Sequence, residues 1–580
     1  MSKNVVYSIN GPVVTVKNSK DFQMLEMVYV GNDRLLGEVI AISNDKTVIQ
    51  VYESTTMLMP GEEVIGTNNP IALKLGPGLL SNIFDGILRP LKTMAKDSQY
   101  IKKGTNIESL DLEALFDVKI LCKVDDKIKM GDIYATTKEI NKEHRIMMPY
   151  LHGTITWVAK DGKYRVDDTI AKVKLSDGSE VPLTLCQKWP IKTPRIVKER
   201  LTNSIPLITG QRVLDTLFPI AKGGTAAIPG GFGAGKTMLQ HQLAKWCDAD
   251  IIVYIGCGER GNEMTQVLEE FSELIDPKTN RPLMERVVLI ANTSNMPVAA
   301  REASIYTGVT IAEYYRDMGY NVALMADSTS RWAEALREIS GRLEEMPAEE
   351  GFPAYLPSRL SQFYERAGYM KNLNGTEGSV TIIGAVSPQG ADFSEPVTQN
   401  TKRFVRAFWG LDKDLAYKRH YPAVNWNLSY SEYIADLAKY YEKKVDPLFL
   451  QDRQRLVTLL ANENKLLEIV KLIGGDVLPD DQKLIIKIGE VIREGFLQQN
   501  AFHKEDTFVP IDKQLKMMEV ILYLYDRSRE VIIEGKAFSL ILKTGIFEKL
   551  IQIKYEVKND ELGKFKDYFE EIDKVIEGIR

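Results

Sequence analysis

The spacing of apolar residues changes along the chain, and these changes divide it into segments of different predicted structure. Residues 1–70 alternate between apolar and polar positions, as at 13–16 and 47–51, and turn signals such as Pro60-Gly61 separate the runs. Alternation with a period of two is typical of strands that bury one face. This segment is therefore predicted to be an N-terminal β-barrel.

Two further segments precede the centre of the chain. Residues 71–109 contain Gly76-Pro77-Gly78 and are predicted to be a connector. Residues 110–190 again show short apolar runs with turn pairs such as Asp161-Gly162. We therefore predict a β-rich insertion domain for this second segment.

The central and final segments have longer patterns. In residues 191–435, apolar runs at 251–255, 287–291 and 322–326 alternate with helical patterns, which predicts an α/β domain with a parallel sheet. From 436 to 580, apolar residues recur every three or four positions, so this part is predicted to be a C-terminal α-helical domain. The chain is thus predicted to be a multidomain protein.

Composition narrows the class of function. Charged residues make up 26% of the chain, hydrophobic residues 44%, and the net charge of −5 argues against a protein that binds nucleic acid through bulk charge. No apolar run approaches the roughly 18 residues that span a bilayer. The four cysteines are scattered without a Cys-x-x-Cys pair, so they offer no zinc site. We expect no nucleic-acid partner, and contact with a membrane only through other proteins.

One glycine-rich run carries the most specific chemistry. It fits the phosphate-loop pattern G-x-x-x-x-G-K-[ST], in which backbone N–H groups surround phosphates, the lysine reaches the β and γ oxygens, and the hydroxyl binds Mg²⁺. An apolar run at 225–229 precedes it and a helical pattern at 238–246 follows, so phosphates would lie at a helix N-terminus. This context disfavours the alternative of a glycine-rich turn that matches by chance. The predicted ATP-binding residues are Gly230, Gly231, Phe232, Gly233, Ala234, Gly235, Lys236 and Thr237.

Residues at two other strand ends are candidates for catalysis. Asp327 ends an apolar run at the edge where open α/β sheets bind ligands, so it could hold Mg²⁺ opposite Thr237. The alternative for Asp327 is a cap of the following helix. Glu259 lies in a glycine-bracketed turn and could polarise an attacking water, while Arg260 could orient Glu259 or contact phosphate. The alternative for both is a solvated or structurally paired loop.

Taken together, these motifs resemble the catalytic A subunit of V/A-type rotary ATPases. The phosphate loop is accompanied by similar segments at 256–265, 292–304, 325–338 and 392–399, and residues 422–431 are similar to a signature of rotary ATPase head subunits. The resemblance covers nearly the whole chain. The predicted insertion domain also lies where A subunits carry an extra block that the shorter F-type beta subunit lacks.

The resemblance implies a function in a membrane complex. Three A and three B subunits would alternate in an A3B3 head around a central shaft, with peripheral-stalk subunits outside it. The head would lie on the cytoplasmic face of the membrane, which it contacts only through the membrane sector. It would hydrolyse or synthesise ATP with Mg²⁺ and couple this reaction to H⁺ or Na⁺ transport.

The resemblance also assigns roles within a P-loop, RecA-like domain. Lys236 and Thr237 would hold phosphate and Mg²⁺, Asp327 would complete the metal site, Glu259 would activate the water, and Arg260 would lie in the same site. The arginine finger of the family comes from the neighbouring B subunit. We therefore expect low turnover by the isolated chain.

Other positions concern the binding of the adenine base and the flexibility of the phosphate loop. Tyr421 and Phe502 are similar to the aromatic pair that sandwiches adenine; the alternative is that they are core aromatics. Three positions depart from the family pattern: Gly231 stands where proline is usual, and Gln389 and Ala391 lie in a segment usually richer in glycine or proline. Glycine at 231 predicts a more flexible loop before nucleotide binds.

Two other functional classes stay open at this point. One is another hexameric RecA-like ATPase, such as the F-type beta subunit or a secretion ATPase. The other is a non-catalytic nucleotide-binding subunit, which the presence of Lys236, Glu259 and Asp327 disfavours. An RNA translocase would need a basic and aromatic cluster near the N-terminus, and residues 1–70 lack one.

Overall fold

A computed structural model describes most of the chain. It covers residues 4–17, 21–97, 102–105, 107–276, 279–475 and 477–580. Within these ranges, no helix combines the length and the apolar character that crossing a bilayer requires.

The N-terminal part is the predicted β-barrel. Its strands follow the order β1-β2-β5-β4-β3-β6, and a bridge between Val5 and Glu63 joins the two edges. Closure removes unpaired edges, and alternate residues such as Val14, Val28 and Val39 fill the interior. The strands are β1 (Val6–Asn10), β2 (Val13–Lys17), β3 (Glu26–Val30), β4 (Leu35–Ile42), β5 (Lys46–Val51) and β6 (Val64–Pro70).

The next part contains the predicted connector and insertion domain. The connector residues form β7 (Ala72–Leu75), β8 (Ile83–Phe84) and α1 (Leu91–Asp97). The insertion residues form β9 (Phe116–Ile120), β10 (Lys127–Ile128), β11 (Ile133–Glu139), β12 (Lys142–Met147), β13 (Gly153–Val158), β14 (Gly162–Tyr164), β15 (Ala171–Lys174) and β16 (Glu180–Leu183). These eight strands make two four-stranded sheets, ordered β12-β11-β9-β14 and β10-β13-β15-β16. β17 (Gln187–Pro190) then returns to pair with β7.

The central part is an α/β domain with one large sheet. Its elements are β18 (Glu199–Leu201), β19 (Thr225–Pro229), α2 (Lys236–Trp246), β20 (Ile251–Glu259), α3 (Gly261–Glu273), β21 (Ile275–Asp276), β22 (Arg281–Pro282), β23 (Val287–Thr293), α4 (Val298–Asp317), β24 (Asn321–Asp327), α5 (Thr329–Arg342), α6 (Leu356–Tyr364), β25 (Gly368–Lys371), β26 (Glu377–Val386), α7 (Pro396–Phe404), β27 (Ala407–Phe408), α8 (Lys413–Tyr417) and β28 (Tyr430–Ser431).

The order of these strands places the candidate site. The sheet runs β28-β27-β19-β26-β24-β20-β23-β8, and β19, β26, β24, β20 and β23 pair in parallel with their neighbours in this row. The predicted parallel sheet is therefore confirmed. Because parallel strands end at the same edge, the residues that follow β19, β20 and β24 meet there. The connector contributes the edge strand β8, which pairs in parallel with β23, so it is part of this sheet as well as a link.

The C-terminal part is helical, as predicted. Its helices are α9 (Ile434–Lys444), α10 (Phe449–Ile473), α11 (Asp480–Glu490), α12 (Ile511–Ile533), α13 (Phe538–Leu542), α14 (Ile546–Glu556) and α15 (Phe565–Ile579), and a π-helical segment, Val491–Leu497, follows α11. One apolar cluster runs from Leu239 and Ile252 of the central domain to Leu456 and Leu522 of the helices. The two parts thus share a core, which holds them in a fixed relation.

A buried ion pair reinforces this junction. Arg212 and Asp506 form it, and neither side chain is exposed to solvent. Arg212 also donates hydrogen bonds to the carbonyl oxygens of Phe496 and Gln498. Asp506 accepts a hydrogen bond of 2.6 Å from the backbone N–H of Asn500. The pair therefore fixes the loop that begins at Gln498 and carries Phe502.

Replacing Arg212 by methionine is expected to destabilise the chain by about 3 kcal/mol, because Asp506 would keep its buried charge without its main partner. This is the low end of the range for broken buried pairs, since the charges of Lys513 and Lys554 also act near Asp506. The measurement is urea unfolding of the purified chain, followed by tryptophan fluorescence.

The control is the double variant Arg212→Met/Asp506→Leu. It should recover most of the lost stability, because an apolar pair of similar volume often replaces a buried ion pair without loss. An Arg212→Met chain that unfolds at the wild-type urea concentration would contradict this account.

Candidate functional site

The phosphate loop joins β19 to the N-terminus of α2. Gly233 and Gly235 have φ angles of 77° and 90°, in the left-handed region where a side chain is strained, so glycine is required at both positions. Lys236 is the first residue of α2, which points the free N–H groups of that helix end toward the loop. This is the strand–loop–helix arrangement that the sequence predicts, and it forms an anion-binding site.

Lys236 is held inside the loop. Its Nζ donates hydrogen bonds to the carbonyl oxygens of Gly230, at 2.7 Å, and Gly231, at 3.1 Å. Burial lowers the pKa of Lys236, while the charges of Asp327 and Glu259 act in the opposite direction. The carbonyl oxygens are neutral acceptors, so phosphate oxygens would be stronger partners for this ammonium group.

Thr237 and Asp327 meet across the edge of the sheet. Thr237 Oγ1 donates a hydrogen bond of 2.8 Å to Asp327 Oδ2, and the hydroxyl of Tyr254 donates to the same oxygen at 3.2 Å. Asp327 is only 2% exposed, and burial raises its pKa in spite of these hydrogen bonds and the charge of Lys236. The alternative of a helix cap is not what the geometry shows, because Ser328 occupies the N-cap position of α5.

This pair of oxygens fits a hard cation that is shared with a ligand. Hydroxyl and carboxylate oxygens are typical partners of Mg²⁺, which usually keeps several waters and adds phosphate oxygens of the substrate. The described residues contain no group of three or more His, Cys, Asp or Glu that would bind a metal without help. The site therefore suits Mg²⁺ that arrives with a nucleotide.

Glu259 is the last residue of β20, next to the strand that ends in Asp327. Its pKa is raised to about 8, first by burial, then by the charge of Asp327 and by a hydrogen bond with the carboxyl group of Glu263. The positive charge of Arg331 acts in the opposite direction. Burial and the charge of Asp327 therefore favour the protonated form of Glu259.

The sequence predicts Arg260 as the charged neighbour of Glu259, but the structure places other charged residues near this carboxyl group. Arg260 is exposed, and it forms no ion pair with any residue that the structure describes. Glu263 and Arg331 lie near Glu259 instead, and sequence reasoning gave neither a role in the site. Arg331 pairs with Glu334 of its own helix at 2.9 Å.

A spacing signal could have identified these neighbours. Glu263 follows Glu259 by four positions, and Arg331 follows Asp327 by four. Each pair spans a strand end and the first turn of the next helix, so the later side chain can turn back toward the same edge of the sheet.

The two candidate adenine residues lie on adjoining segments. Tyr421 is 44% exposed and Phe502 90% exposed, so neither is a core aromatic. A Cβ placed on Gly235 would lie 3.6 Å from Cε1 of Tyr421, which puts this ring beside the phosphate loop. The carbonyl oxygen of Tyr421 accepts a hydrogen bond of 2.7 Å from the N–H of Gln499, three residues before Phe502. The ring of Tyr421 therefore borders the loop, Phe502 lies on the segment that is bonded to Tyr421, and both rings have accessible faces.

Family models match four parts of the chain. Residues 6–68 match the beta-barrel domain of the ATP synthase alpha/beta family, residues 107–192 its barrel-sandwich domain, and residues 210–431 its nucleotide-binding domain. Residues 438–540 match the C-terminal domain of V and A type ATP synthase. The phosphate loop, Glu259 and Asp327 all fall within the nucleotide-binding match.

Similar proteins extend over nearly the whole chain. A "V-type ATP synthase alpha chain 2" of Clostridium tetani is 59% identical, and the match covers 98% of this chain and 97% of the relative. The A subunit of the A-type ATP synthase of Methanopyrus kandleri is 51% identical over 100% of this chain and 98% of its own. One solved structure, the assembled ATPase EscN of the type III secretion system of enteropathogenic E. coli, has a TM-score of 0.65. Its identity is 22%, over 90% of this chain and 100% of that chain, so it shows a shared fold alone.

The raised pKa of Glu259 predicts how stability changes with pH. Between the ordinary carboxyl pKa of 4.5 and about 8, the folded chain holds a proton that the unfolded chain has released. The free energy of unfolding therefore falls as pH rises through this interval. We expect the Glu259→Gln chain to be more stable than wild type at pH 8.5 by about 1 kcal/mol or more, and equal to it near pH 4.5.

The measurement is the unfolding midpoint of the purified chain, free of nucleotide and Mg²⁺, at several pH values. Glu269→Gln is the matched control, since Glu269 lies exposed on α3 and its substitution should leave the pH profile unchanged. If the Glu259→Gln and wild-type profiles run in parallel over the whole range, the raised pKa is refuted.

Proposed function

The chain belongs to the ATP synthase alpha/beta family, among the A subunits of its V/A type, and from this premise we propose how it acts on ATP. The catalytic reaction is the hydrolysis or synthesis of ATP at the edge of the central sheet. The observation that carries the proposal is the 2.8 Å hydrogen bond between Thr237 and Asp327, directly beside the phosphate loop. It brings together a phosphate site and a cation site that neither residue could form alone.

Phosphate binding would use the loop and Lys236. The N–H groups at the start of α2 would surround the β-phosphate, and Lys236 Nζ would leave the two carbonyl oxygens for the β and γ oxygens. Thr237 and Asp327 would hold Mg²⁺, which supplies neutralisation of the charge that develops on the phosphates. Burial of this site strengthens each of these interactions, because the effective dielectric constant is low there.

Glu259 would act on the attacking water. In hydrolysis it would orient this water and accept its proton, which requires the deprotonated carboxylate. Its pKa of about 8 means that added positive charge must lower the pKa before catalysis at neutral pH. Arg331 supplies part of that charge now, and the bound cation would supply more.

Tyr421 and Phe502 would hold the base. Both rings are accessible, the ring of Tyr421 borders the loop, and the hydrogen bond from Gln499 to Tyr421 keeps the two segments together. Planar aromatic rings with free faces stack on an adenine base at little conformational cost. Arg260 would contact the nucleotide or a neighbouring subunit from the exposed rim.

The site would be completed by another subunit. Phe232 is 82% exposed and Phe502 90% exposed, and together with the exposed Arg260 they leave this edge open to a partner. We propose an alternating A3B3 head in which a B subunit covers this edge and supplies an arginine. Central-shaft and peripheral-stalk subunits would link the head, on the cytoplasmic face, to a membrane sector that transports H⁺ or Na⁺.

Replacing Glu259 by glutamine tests the catalytic assignment. In the complex assembled with its B-type partner, we expect kcat for ATP hydrolysis to fall by about 10²–10⁴-fold, because glutamine cannot accept a proton from water. KM should change little, since the groups that hold phosphate remain. The measurement is steady-state hydrolysis with MgATP.

Two variants serve as references for this experiment. Lys236→Ala should lose MgATP binding as well as hydrolysis, and Glu269→Gln should keep both. Assembled complexes with glutamine at 259 that hydrolyse ATP at the wild-type rate would exclude Glu259 as the catalytic base. An isolated chain that turns over as fast as the complex would exclude the shared site.

A further inference from the structure

At position 231 of the phosphate loop, the space that a side chain would fill is taken by neighbouring residues. The φ angle of Gly231 is not in the left-handed region, so the backbone there would accept a side chain. A Cβ on Gly231, however, would lie 2.3 Å from Cε and 3.1 Å from Nζ of Lys413. The side chain of Lys413 therefore occupies the place that a side chain at 231 would need.

The backbone around Lys413 is tied to the loop. The N–H of Leu411 donates a hydrogen bond of 2.8 Å to the carbonyl oxygen of Pro229, at the entrance of the loop. Asp412 caps α8 by accepting from the N–H of Asp414 at 2.7 Å, and it also accepts from Asn425 Nδ2 at 2.8 Å. These bonds fix the start of α8 against the loop, so Lys413 approaches Gly231 from a rigid base.

The ammonium group of Lys413 has no acidic partner within the described part of the chain. No ion pair or hydrogen bond joins it to those residues, while the neighbouring Asp412 is engaged in the helix cap. Its charge is felt inside the loop: burial is the main cause that lowers the pKa of Lys236, and the charge of Lys413 adds to it. Two cations thus lie at one loop whose residues, 230–237, include no acidic side chain.

We propose that Lys413 is a further phosphate-binding residue of this site, brought to the loop by the absence of a side chain at position 231. The ligand is the polyphosphate of the nucleotide, whose negative charge would relieve the repulsion between Lys413 and Lys236. The inference rests on the proposed function, since it assumes that this loop binds nucleotide phosphates.

Ala391 supports the same arrangement. A Cβ on Gly231 would lie 3.0 Å from Cβ of Ala391, so Ala391 and Lys413 together fill the volume beside position 231. Ala391 has a φ angle of 63°, a region that favours glycine, yet it carries a side chain there. Gly231 and Ala391 therefore meet at one point beside Lys413.

The first test removes the charge of Lys413. We expect Lys413→Met to weaken MgATP binding by the purified full-length chain roughly tenfold or more, as the loss of one charge-assisted contact does. Lys413→Arg should retain most of the affinity. The difference between wild type and Lys413→Met should be larger in 50 mM than in 300 mM KCl, because salt screens a charge contact and leaves a packing contact unchanged. The measurement is titration calorimetry.

Lys418→Met is the matched control. Lys418 is exposed at the other end of α8, so its loss should leave the affinity for MgATP unchanged. A melting temperature for each variant shows that the chains are folded before their affinities are compared.

The second test displaces Lys413 without changing it. A methyl group in Gly231→Ala would move only the flexible end of Lys413, so this variant should fold and should lose the same affinity as Lys413→Met. The double variant Gly231→Ala/Lys413→Met should bind no more weakly than either single variant. Losses that simply add would refute the dependence of Lys413 on position 231.

Lys236→Ala separates the possible failures. If Lys236→Ala weakens MgATP binding and Lys413→Met binds like wild type at both salt concentrations, the inference about Lys413 is wrong and the proposed function stands. If Lys236→Ala also binds like wild type, the loop does not bind nucleotide phosphates, and the proposed function itself fails.

Discussion

The buried carboxylate of Asp327 is the constraint on which the rest of the site depends. A carboxylate with 2% exposure is costly in a medium of low dielectric constant, and it persists because Thr237 and Tyr254 donate hydrogen bonds to it and Lys236 lies nearby. The same charge raises the pKa of Glu259. The phosphate loop, the Thr237–Asp327 pair and the carboxyl group of Glu259 therefore form one electrostatic unit, in which a change at one group alters the others.

The order of the strands in the central sheet brings the groups of this unit together. β20 and β24 are adjacent in the sheet although β23 and α4 separate them in sequence, and this adjacency brings Glu259 beside Asp327. On the other side, the shared apolar core and the Arg212–Asp506 pair hold the segment that carries Phe502 against the central domain. The helical domain thus fixes the position of the segment that carries Phe502, next to Tyr421.

Features formed by residues that are close in sequence could be predicted from the sequence. Features created by the packing of distant segments could not. Strand, loop and helix around Lys236 are contiguous, and Asp327 ends an apolar run, so both could be predicted from local pattern alone. The strand β8 could not, because two residues, Ile83 and Phe84, carry no periodicity. The approach of Lys413 to Gly231 also depends on long-range contacts. Arg331 and Glu263 could be predicted only in part. Their spacing from a strand end can be read from the sequence, but the direction in which their side chains point cannot.

The arrangement of charges also explains why this site suits an anionic ligand that brings a cation. Lys236 donates to neutral carbonyl oxygens, Lys413 lies unpaired among the described residues, and burial with the charge of Asp327 favours the protonated form of Glu259. Each of these arrangements is electrostatically unfavourable, and a bound polyphosphate with its cation would make it favourable. The two lysines would gain anionic partners, and the carboxyl group of Glu259 would gain a nearby positive charge that lowers its pKa. Such a site favours a ligand that brings both the negative charge of a polyphosphate and the positive charge of a cation. The polyphosphate alone would satisfy only the lysines, and the cation alone would affect only the carboxyl groups.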